Sequence, residues 1–137
     1  MSRVCLITGG ARGIGRATAR LAAACGWDVA INFQESSQAA EAVAGEIASA
    51  GRRAVAVRGD VAKEGDVIAM FSMAERVLGP ITGLVNCAGA SLNSRVDAID
   101  VRELERMFAI NVIGLLCAAA RQLNACRHAM AEWAALL

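Results

Sequence analysis

Short apolar runs alternate along the chain with longer segments in which apolar residues recur at helical spacing. The runs predict four strands, at Arg3–Thr8, Asp28–Asn32, Arg53–Arg58 and Gly83–Asn86. The intervening segments predict four helices, at Gly13–Cys25, Ser37–Ala50, Lys63–Leu78 and from Val101 onward. Strands that alternate with helices in this way indicate right-handed βαβ units and a parallel sheet.

Glycine, proline and serine residues set the predicted helix boundaries. Gly26 follows the first helix at the position where a left-handed residue is usual. Ser37 is a candidate N-cap for the second helix, and Gly79-Pro80 ends the third. On the first helix we expect one apolar face, made of Ile14, Ala17, Leu21 and Ala24.

The turn between the first strand and the first helix is rich in glycine. It reads Thr8-Gly9-Gly10-Ala11-Arg12-Gly13-Ile14-Gly15, with the spacing G-x-x-x-G-x-G and without the Lys-Ser/Thr of an ATP-type P-loop. Glycines allow positive φ angles and close approach of a ligand, and the first helical turn offers unpaired N–H groups to a phosphate. The pattern predicts a pyrophosphate site, and its alternative is a plain tight turn with packing glycines.

Further motifs follow at the ends of later elements. Asp60-Val61 lies after the third strand, Asn86-Cys87-Ala88-Gly89 after the fourth, and Asn111 lies within the last helix. Together with Thr8-Gly-x-x-x-Gly13-x-Gly15, these motifs resemble the short-chain dehydrogenase/reductase family in order and spacing over roughly residues 3 to 117. The resemblance implies an α/β fold, the N-terminal portion of a Rossmann-type doubly wound parallel sheet in strand order 3-2-1-4. It also implies NAD(P)(H)-dependent oxidation of an alcohol or reduction of a carbonyl.

The resemblance also assigns roles to individual residues. Asn111 takes the family's structural and catalytic asparagine position, and its place within a helix suggests a specific bond because asparagine is a poor helix former. Cys87 departs from the family's second asparagine and loses an amide that cross-links neighbouring segments. The implied cofactor-binding residues are Thr8, Gly9, Arg12, Gly13, Ile14, Gly15, Asn32, Asp60, Val61, Asn86, Ala88 and Gly89. For Asp60 the alternative is a turn residue after Gly59.

Three residues bear on the choice between NADP and NAD. Arg12 lies beside the phosphate turn, where a fixed cation suits the 2′-phosphate of NADP. Asn32 occupies the end of the second strand, where an NAD site usually carries an acidic residue. Glu35 follows three positions later and makes the distinction less clear. We expect NADP to be preferred, with NAD as the alternative.

Composition excludes several classes of protein. The formal net charge of +1 gives no indication of a nucleic-acid partner or an anionic membrane surface. The apolar stretch Val112–Ala120 falls far short of the ~20 residues that span a bilayer, and the N-terminus lacks the apolar region of a signal peptide. The chain has five cysteines without a C-x-x-C motif, and His128 is its single histidine, so we expect reduced thiols, no metal site and a cytoplasmic location.

The resemblance breaks near Cys117. The family's proton transfer uses a serine and a Tyr-x-x-x-Lys pair, and this chain has no tyrosine. We expect a single truncated dinucleotide-binding domain over residues 1–137 with a non-family tail over 118–137, and no catalytic activity. Reverse translation of Asn124–Leu137 with a shift of two bases permits a basic, glycine-rich peptide of the kind that follows in the family, which suggests a frameshift near Ala118–Arg121. The alternatives are a genuinely short protein, a non-catalytic dinucleotide-binding or interaction module, and a frameshifted product without a role.

We also expect the chain to self-associate. The strand Gly83–Asn86 would form an exposed sheet edge containing Leu84 and Val85. The last helix would expose apolar side chains, namely Ile110, Ile113, Leu115 and Leu116.

Overall fold

The computed structural model describes residues 3–124 and shows one parallel sheet with helices on both faces. The strands are β1 Val4–Thr8, β2 Asp28–Phe33, β3 Ala54–Arg58 and β4 Gly83–Asn86. The helices are α1 Gly13–Ala24, α2 Ser37–Ser49, α3 Glu64–Leu78 and α4 Val101–Phe108. The strands lie in the order β3-β2-β1-β4, which confirms the predicted topology.

Helix boundaries follow the predicted stop signals closely, with one exception at a start. Gly26 and Gly79 adopt φ angles of 87° and 96°, which only glycine enters at low cost. The prediction of Ser37 as the N-cap of α2 is wrong, because Ser36 holds that position and its side chain makes no capping hydrogen bond. The backbone alone therefore begins α2, without help from a serine hydroxyl.

The last helix is not a uniform α-helix. After α4 the chain forms a π-helix over Ala109–Gly114 and then continues as a helix through residues 115–124. A short 3-10 helix, Val96–Ala98, precedes α4. In the helical continuation Ala118 is buried and the Nε2 of Gln122 donates to the carbonyl oxygen of Ile81 at 2.8 Å. The part of the predicted tail from residue 125 onward, including Cys126 and His128, lies outside the described residues.

Two apolar cores cover the two faces of the sheet. On one face α3 packs against β1 and β3, with Val67, Met70 and Phe71 buried. On the other face α1 and α2 pack against β1 and β2, with Ala19, Val43 and Ile47 buried. The core is therefore split by the sheet, as expected for a doubly wound fold.

The predicted apolar face of α1 is wrong. Ile14 and Leu21 are 80% and 66% exposed, whereas Gly15, Ala19 and Ala23 are buried. Small side chains face the sheet because α1 follows a tight turn and lies close to the strands. The prediction followed the spacing of the larger apolar residues, and those residues lie on the outer face of this helix.

No helix among residues 3–124 combines the length and the apolar character needed to cross a bilayer.

Strand β4 forms one edge of the described sheet, and its Leu84 and Val85 are half-buried against the two cores. Ile113, Leu115 and Leu116 are exposed as expected, but Ile110 packs against the core formed by α3.

Replacing Phe71 should unfold this part of the molecule. Its side chain is fully buried, and Phe→Ala substitutions in cores cost about 3–5 kcal/mol, which is comparable to the whole stability of a marginal domain. We expect Phe71→Ala to lose most of its far-ultraviolet circular dichroism and soluble yield. Met73→Ala, at an exposed position of the same helix, is the matched control and should retain both. A folded Phe71→Ala chain would contradict this packing.

Candidate functional site

A cleft of about 590 Å³ opens at the carboxyl ends of the strands. Its walls come from the turn after β1, the segment after β2, and the loops that follow β3 and β4. Ligands bind at this edge in open α/β sheets, where the connections to neighbouring strands diverge. The cleft therefore lies where the order of strands predicts a binding site.

The glycine turn is shaped by backbone constraints that other residues would violate. Gly9 and Gly13 have φ angles of 62° and 54°. A Cβ at Gly9 would lie 2.8 Å from the Cα of Ala88, and one at Gly15 would collide with the carbonyl oxygen of Gly9. The turn is thus a tightly folded cradle between β1, α1 and the loop after β4.

The first turn of α1 is uncapped where it meets the cleft. Arg12 holds the N-cap position and its side chain makes no capping hydrogen bond, and the first turn contains no acidic residue. Within residues 3–124 no acceptor is found for the N–H groups of Gly13, Ile14 and Gly15. These unpaired donors and the positive end of the helix dipole suit a pyrophosphate group.

Asn32 builds the cleft from behind. Its Nδ2 donates to the carbonyl oxygens of Gly59 at 3.0 Å and Val57 at 3.4 Å, and its Oδ1 accepts from the N–H of Gly9 at 3.3 Å. The residue is buried. The amide is therefore engaged by the protein, and the residues that follow it, Phe33 and Gln34, present the accessible rim of the cleft.

Thr8 joins the ends of β1 and β4. Its Oγ1 accepts from the N–H groups of Cys87 and Ala88, each at 3.1 Å, and donates to the Oδ1 of Asn86 at 3.4 Å. Thr8 and Asn86 therefore support the cleft without lining it. The departure from the family motif, Cys87, places a thiol in the cleft wall while the strand junction is kept by the Thr8 hydroxyl.

Asp60 also lies behind the cleft wall. Its Oδ1 accepts from the N–H of Ala62 at 3.0 Å, and its Oδ2 pairs with Nη2 of Arg106 at 2.9 Å. The neighbouring residues Gly59 and Val61 line the cleft, and Asp60 does not. Each carboxylate oxygen has a partner in the protein, and contact of Asp60 with a cofactor stays a prediction beside its alternative as a turn residue.

Asn111 lies in the π-helix and clamps the loop that follows β4. Its Oδ1 accepts from the N–H of Ala90 and its Nδ2 donates to the carbonyl oxygen of Ala90, both at 2.8 Å. The specific bond expected from its place in a helix is present. π-Helical turns occur frequently at functional sites, and here the turn lets Asn111 face the loop while Ile110 lines the cleft.

Charges at the rim are of both signs. Arg12 forms no ion pair with any residue in the described part of the chain, and its exposed side chain lines the cleft. Glu35 lines the same rim, and Nε of Arg58 donates to the backbone carbonyl of Gln34 at 3.2 Å. The rim therefore offers one free guanidinium beside the glycine turn and one carboxylate beside the end of β2.

The described cysteines, Cys5, Cys25, Cys87 and Cys117, are free thiols. Burial, with a smaller contribution from Cys87, raises the pKa of Cys5 to about 11, so this thiol stays protonated at neutral pH. Across residues 3–124 no three His, Cys, Asp or Glu side chains group as ligands for a metal ion.

Most of the residues expected at the site meet in this cleft. Those that line it are Gly9, Arg12, Gly13, Ile14, Gly15, Asn32, Val61, Ala88 and Gly89. Sequence reasoning did not assign Phe33, Gln34, Ser36, Cys87, Ala90 or Ile110 to the cleft wall. Phe33 and Gln34 could have been found from their place directly after Asn32, because residues that leave a strand at its carboxyl end reach this edge of the sheet.

Comparisons with known proteins agree with this geometry. The chain is 39% identical over 122 residues to a 3-oxoacyl-(acyl-carrier-protein) reductase of Mus musculus, covering 88% of this chain and 50% of the relative. A short chain dehydrogenase from Burkholderia cenocepacia J2315 in complex with NADP superposes with a TM-score of 0.85 at 33% identity, over 90% of this chain and 50% of that one. A blue fluorescent protein from a metagenomic library in complex with NADPH gives a TM-score of 0.84 at 35% identity, over 89% and 50%.

The chain spans about half the length of the curated relatives it matches. A family model described as short chain dehydrogenase matches residues 3–131, which extends past the boundary expected near Cys117. The match covers nearly the whole chain and agrees with the order of the strands and the glycine turn. The chain therefore belongs to the short chain dehydrogenase family.

Proposed function

We propose that this chain binds NADP(H) in the cleft, with the pyrophosphate against the glycine turn. The observation that carries the proposal is the uncapped N-terminus of α1, where Gly13, Ile14 and Gly15 line the cleft and their N–H groups have no acceptor among residues 3–124. The turn can fold this tightly because Gly9 and Gly15 carry no Cβ, which would collide with the backbone of Ala88 and of Gly9 respectively. The NADP and NADPH complexes among the similar solved structures support this cofactor.

NADP(H) is proposed over NAD(H) because of Arg12. Its guanidinium is unpaired within the described residues and lies at the rim beside the glycine turn, where it can form a charge-assisted bond to the 2′-phosphate. Glu35 at the same rim opposes a phosphate, and solvent screens its charge as it screens that of Arg12, because both side chains are exposed. The preference for NADP(H) should therefore be clear without being absolute.

The proposed reaction of the family fold is hydride transfer between the cofactor and an alcohol or carbonyl compound. A bound nicotinamide would supply the hydride chemistry. The chain's own residues would bind and orient it: Ala88 and Ile110 line the end of the cleft beside β4, and Asn111 holds the loop at Ala90. The relative named as a 3-oxoacyl reductase acts on a carbonyl group, which supports this substrate class.

We propose that the 137-residue chain by itself is a cofactor-binding unit without turnover. The sequence contains no tyrosine to pass a proton to or from the substrate oxygen, whereas the cofactor cleft is well formed. A frameshift or truncation near Ala118–Arg121 is our hypothesis for the tail, and sequencing of the downstream DNA tests it.

The second candidate function is a non-catalytic dinucleotide-binding module. It is favoured by the sequence without tyrosine together with the well-formed cleft. The free thiols of the described cysteines support a reducing, cytoplasmic location.

Removing the Arg12 side chain should separate the two cofactors. Loss of a charge-assisted hydrogen bond costs about 1.5–3 kcal/mol, so Arg12→Ala should raise the Kd for NADPH by roughly tenfold or more and leave that for NADH within about twofold. Fluorescence titration measures both constants. Arg20→Ala is the matched control, because Arg20 lies on the same helix and pairs with Glu46. Equal losses for both cofactors would remove Arg12 from the 2′-phosphate site.

The chain alone should show no dehydrogenase turnover. A positioned general acid or base contributes about 10²–10⁴-fold to rate, and no tyrosine is present to act as one. The absorbance change at the NADPH band, measured with NADPH and simple ketones and with NADP⁺ and simple alcohols, should match a heat-treated blank. Turnover above the blank that disappears in Asn111→Ala would show that another residue carries the proton.

Self-association is the third part of the proposal. Phe108, Ile113 and Leu116 are each more than half exposed along one continuous helical segment. Such a patch is typical of a surface for protein contact, and burial of its exposed part against a second copy would recover about 0.8–1.8 kcal/mol per side chain.

Light scattering coupled to size-exclusion chromatography should find dimers or larger species. The double variant Ile113→Ser, Leu116→Ser should shift the chain toward monomer and reduce binding of a hydrophobic dye. Leu21→Ser, an exposed apolar position on α1, is the control and should leave the distribution unchanged. A monodisperse monomeric wild type with a cooperative melt would contradict the proposal and weaken the truncation hypothesis.

A further inference from the structure

The segment from α4 through the π-helix contacts the turn between β3 and α3 at two points. Near its beginning, Nη2 of Arg106 pairs with Oδ2 of Asp60 at 2.9 Å. Near its end, Gly114 is buried so closely on Val61 that a Cβ there would lie 2.8 Å from the Val61 carbonyl oxygen. The turn is therefore held between an ion pair and a backbone contact on the same helical segment.

Asp60 transmits this contact into the turn itself. Its side chain is 9% exposed, and its Oδ1 accepts from the N–H of Ala62 at 3.0 Å. Its own N–H donates to Oδ2 of Asp66 at 2.9 Å in the first turn of α3. Arg106 supplies the positive charge that a nearly buried carboxylate needs, because an unpaired buried charge is strongly unfavourable.

The same turn forms the wall of the cleft at its β3 side. Gly59 and Val61 line the cleft, and the carbonyl oxygen of Gly59 is fixed from the opposite side by Nδ2 of Asn32 at 3.0 Å. In doubly wound folds the ribose of the adenine half binds at the end of the second strand, with the pyrophosphate at the helix N-terminus. The wall made by Gly59 and Val61 therefore borders the adenine half of the proposed cofactor.

We infer that Arg106 is a positioning residue for the adenine half of the cofactor, acting through Asp60 on the wall formed by Gly59 and Val61. The inference rests on the proposed function. Arg106 is outside the cleft lining, and its contact with the turn is the ion pair to Asp60. Arg106 also links the wall formed by Gly59 and Val61 to the helical segment that carries Asn111, which lies five positions further along the chain.

The test compares cofactor binding by Arg106 variants of the full chain. We expect Arg106→Ala to raise the Kd for NADPH about tenfold, and Arg106→Lys, which keeps the charge, to recover most of the loss. The same loss should appear with 2′-phospho-ADP-ribose, which has the adenine half and lacks nicotinamide. If Arg106→Ala does not fold, Arg106→Gln, which keeps length and hydrogen bonding, carries the comparison. Circular dichroism checks folding throughout.

The matched control is Arg121→Ala. Arg121 belongs to the same continuous helical segment, pairs with Glu75 at 3.6 Å and stacks over Phe71, away from the turn. It should change stability without changing either Kd. In a double-mutant cycle, Asp60→Asn with Arg106→Ala should be no worse than the more harmful single variant, because both substitutions break one path.

Each outcome decides one question. Wild-type binding of NADPH with an unchanged Kd in Arg106→Ala overturns this inference and leaves the proposed function standing. Three other results also overturn it. The first is weaker binding of NADPH by Arg106→Ala with unchanged binding of 2′-phospho-ADP-ribose. The others are an equal rise in Kd in Arg121→Ala and additive effects on Kd in the double variant. Absence of NADPH binding by the wild-type chain overturns the proposed function, and this inference with it.

Discussion

The amide of Asn32 is the interaction on which the cleft depends. It bonds to Gly9 in the glycine turn and to Val57 and Gly59 at the exit of β3, so one buried side chain fixes the ends of three neighbouring strands. Parallel strands are joined by ladder hydrogen bonds that stop at the carboxyl ends of the strands. Beyond those ends the backbone groups need other partners. An unmade bond to a buried polar group costs about 1–3 kcal/mol. The cleft wall therefore keeps its shape because leaving these groups unpaired is expensive.

The same device recurs at the other junctions of the cleft. The Thr8 hydroxyl accepts two N–H groups from the loop after β4, and the Asn111 amide bonds both backbone groups of Ala90 in that loop. At a third junction, Arg106 pairs with Asp60 in the turn after β3. Polar side chains thus sit behind the cleft and bond the backbone, while glycine, alanine and exposed side chains face the ligand. In the proposed binding mode, a phosphate would meet backbone N–H groups that the helix already holds in place before binding.

This division of labour explains how far the sequence could predict the site. The strands, the helices and the glycine turn were predictable because apolar periodicity and glycine spacing depend directly on backbone geometry, and the strand order followed from the family resemblance. The contacts of Asp60 and Asn32 were not predictable, because each side chain bonds to partners distant in sequence, such as Arg106 and Val57. The buried face of α1 was missed for a related reason: close packing on the sheet selects Ala19 and Ala23 over Leu21, and hydrophobic periodicity favours the larger residue.

Cofactor binding and burial of the exposed apolar face would each stabilise the folded chain, but they concern different surfaces. A ligand at 100 times its Kd stabilises the folded state by about 2.7 kcal/mol. Burial of one leucine or isoleucine side chain contributes about 1.5–3 kcal/mol, and Ile113 and Leu116 are 54% and 60% exposed. Burying the exposed part of these two side chains would therefore contribute about 0.8–1.8 kcal/mol each, a total similar to that of the cofactor. The cofactor does not cover this face, which lies on α4 and its continuation, whereas the cleft opens at the carboxyl ends of the strands. Self-association should accordingly persist in the cofactor-loaded chain, because the two effects concern separate surfaces.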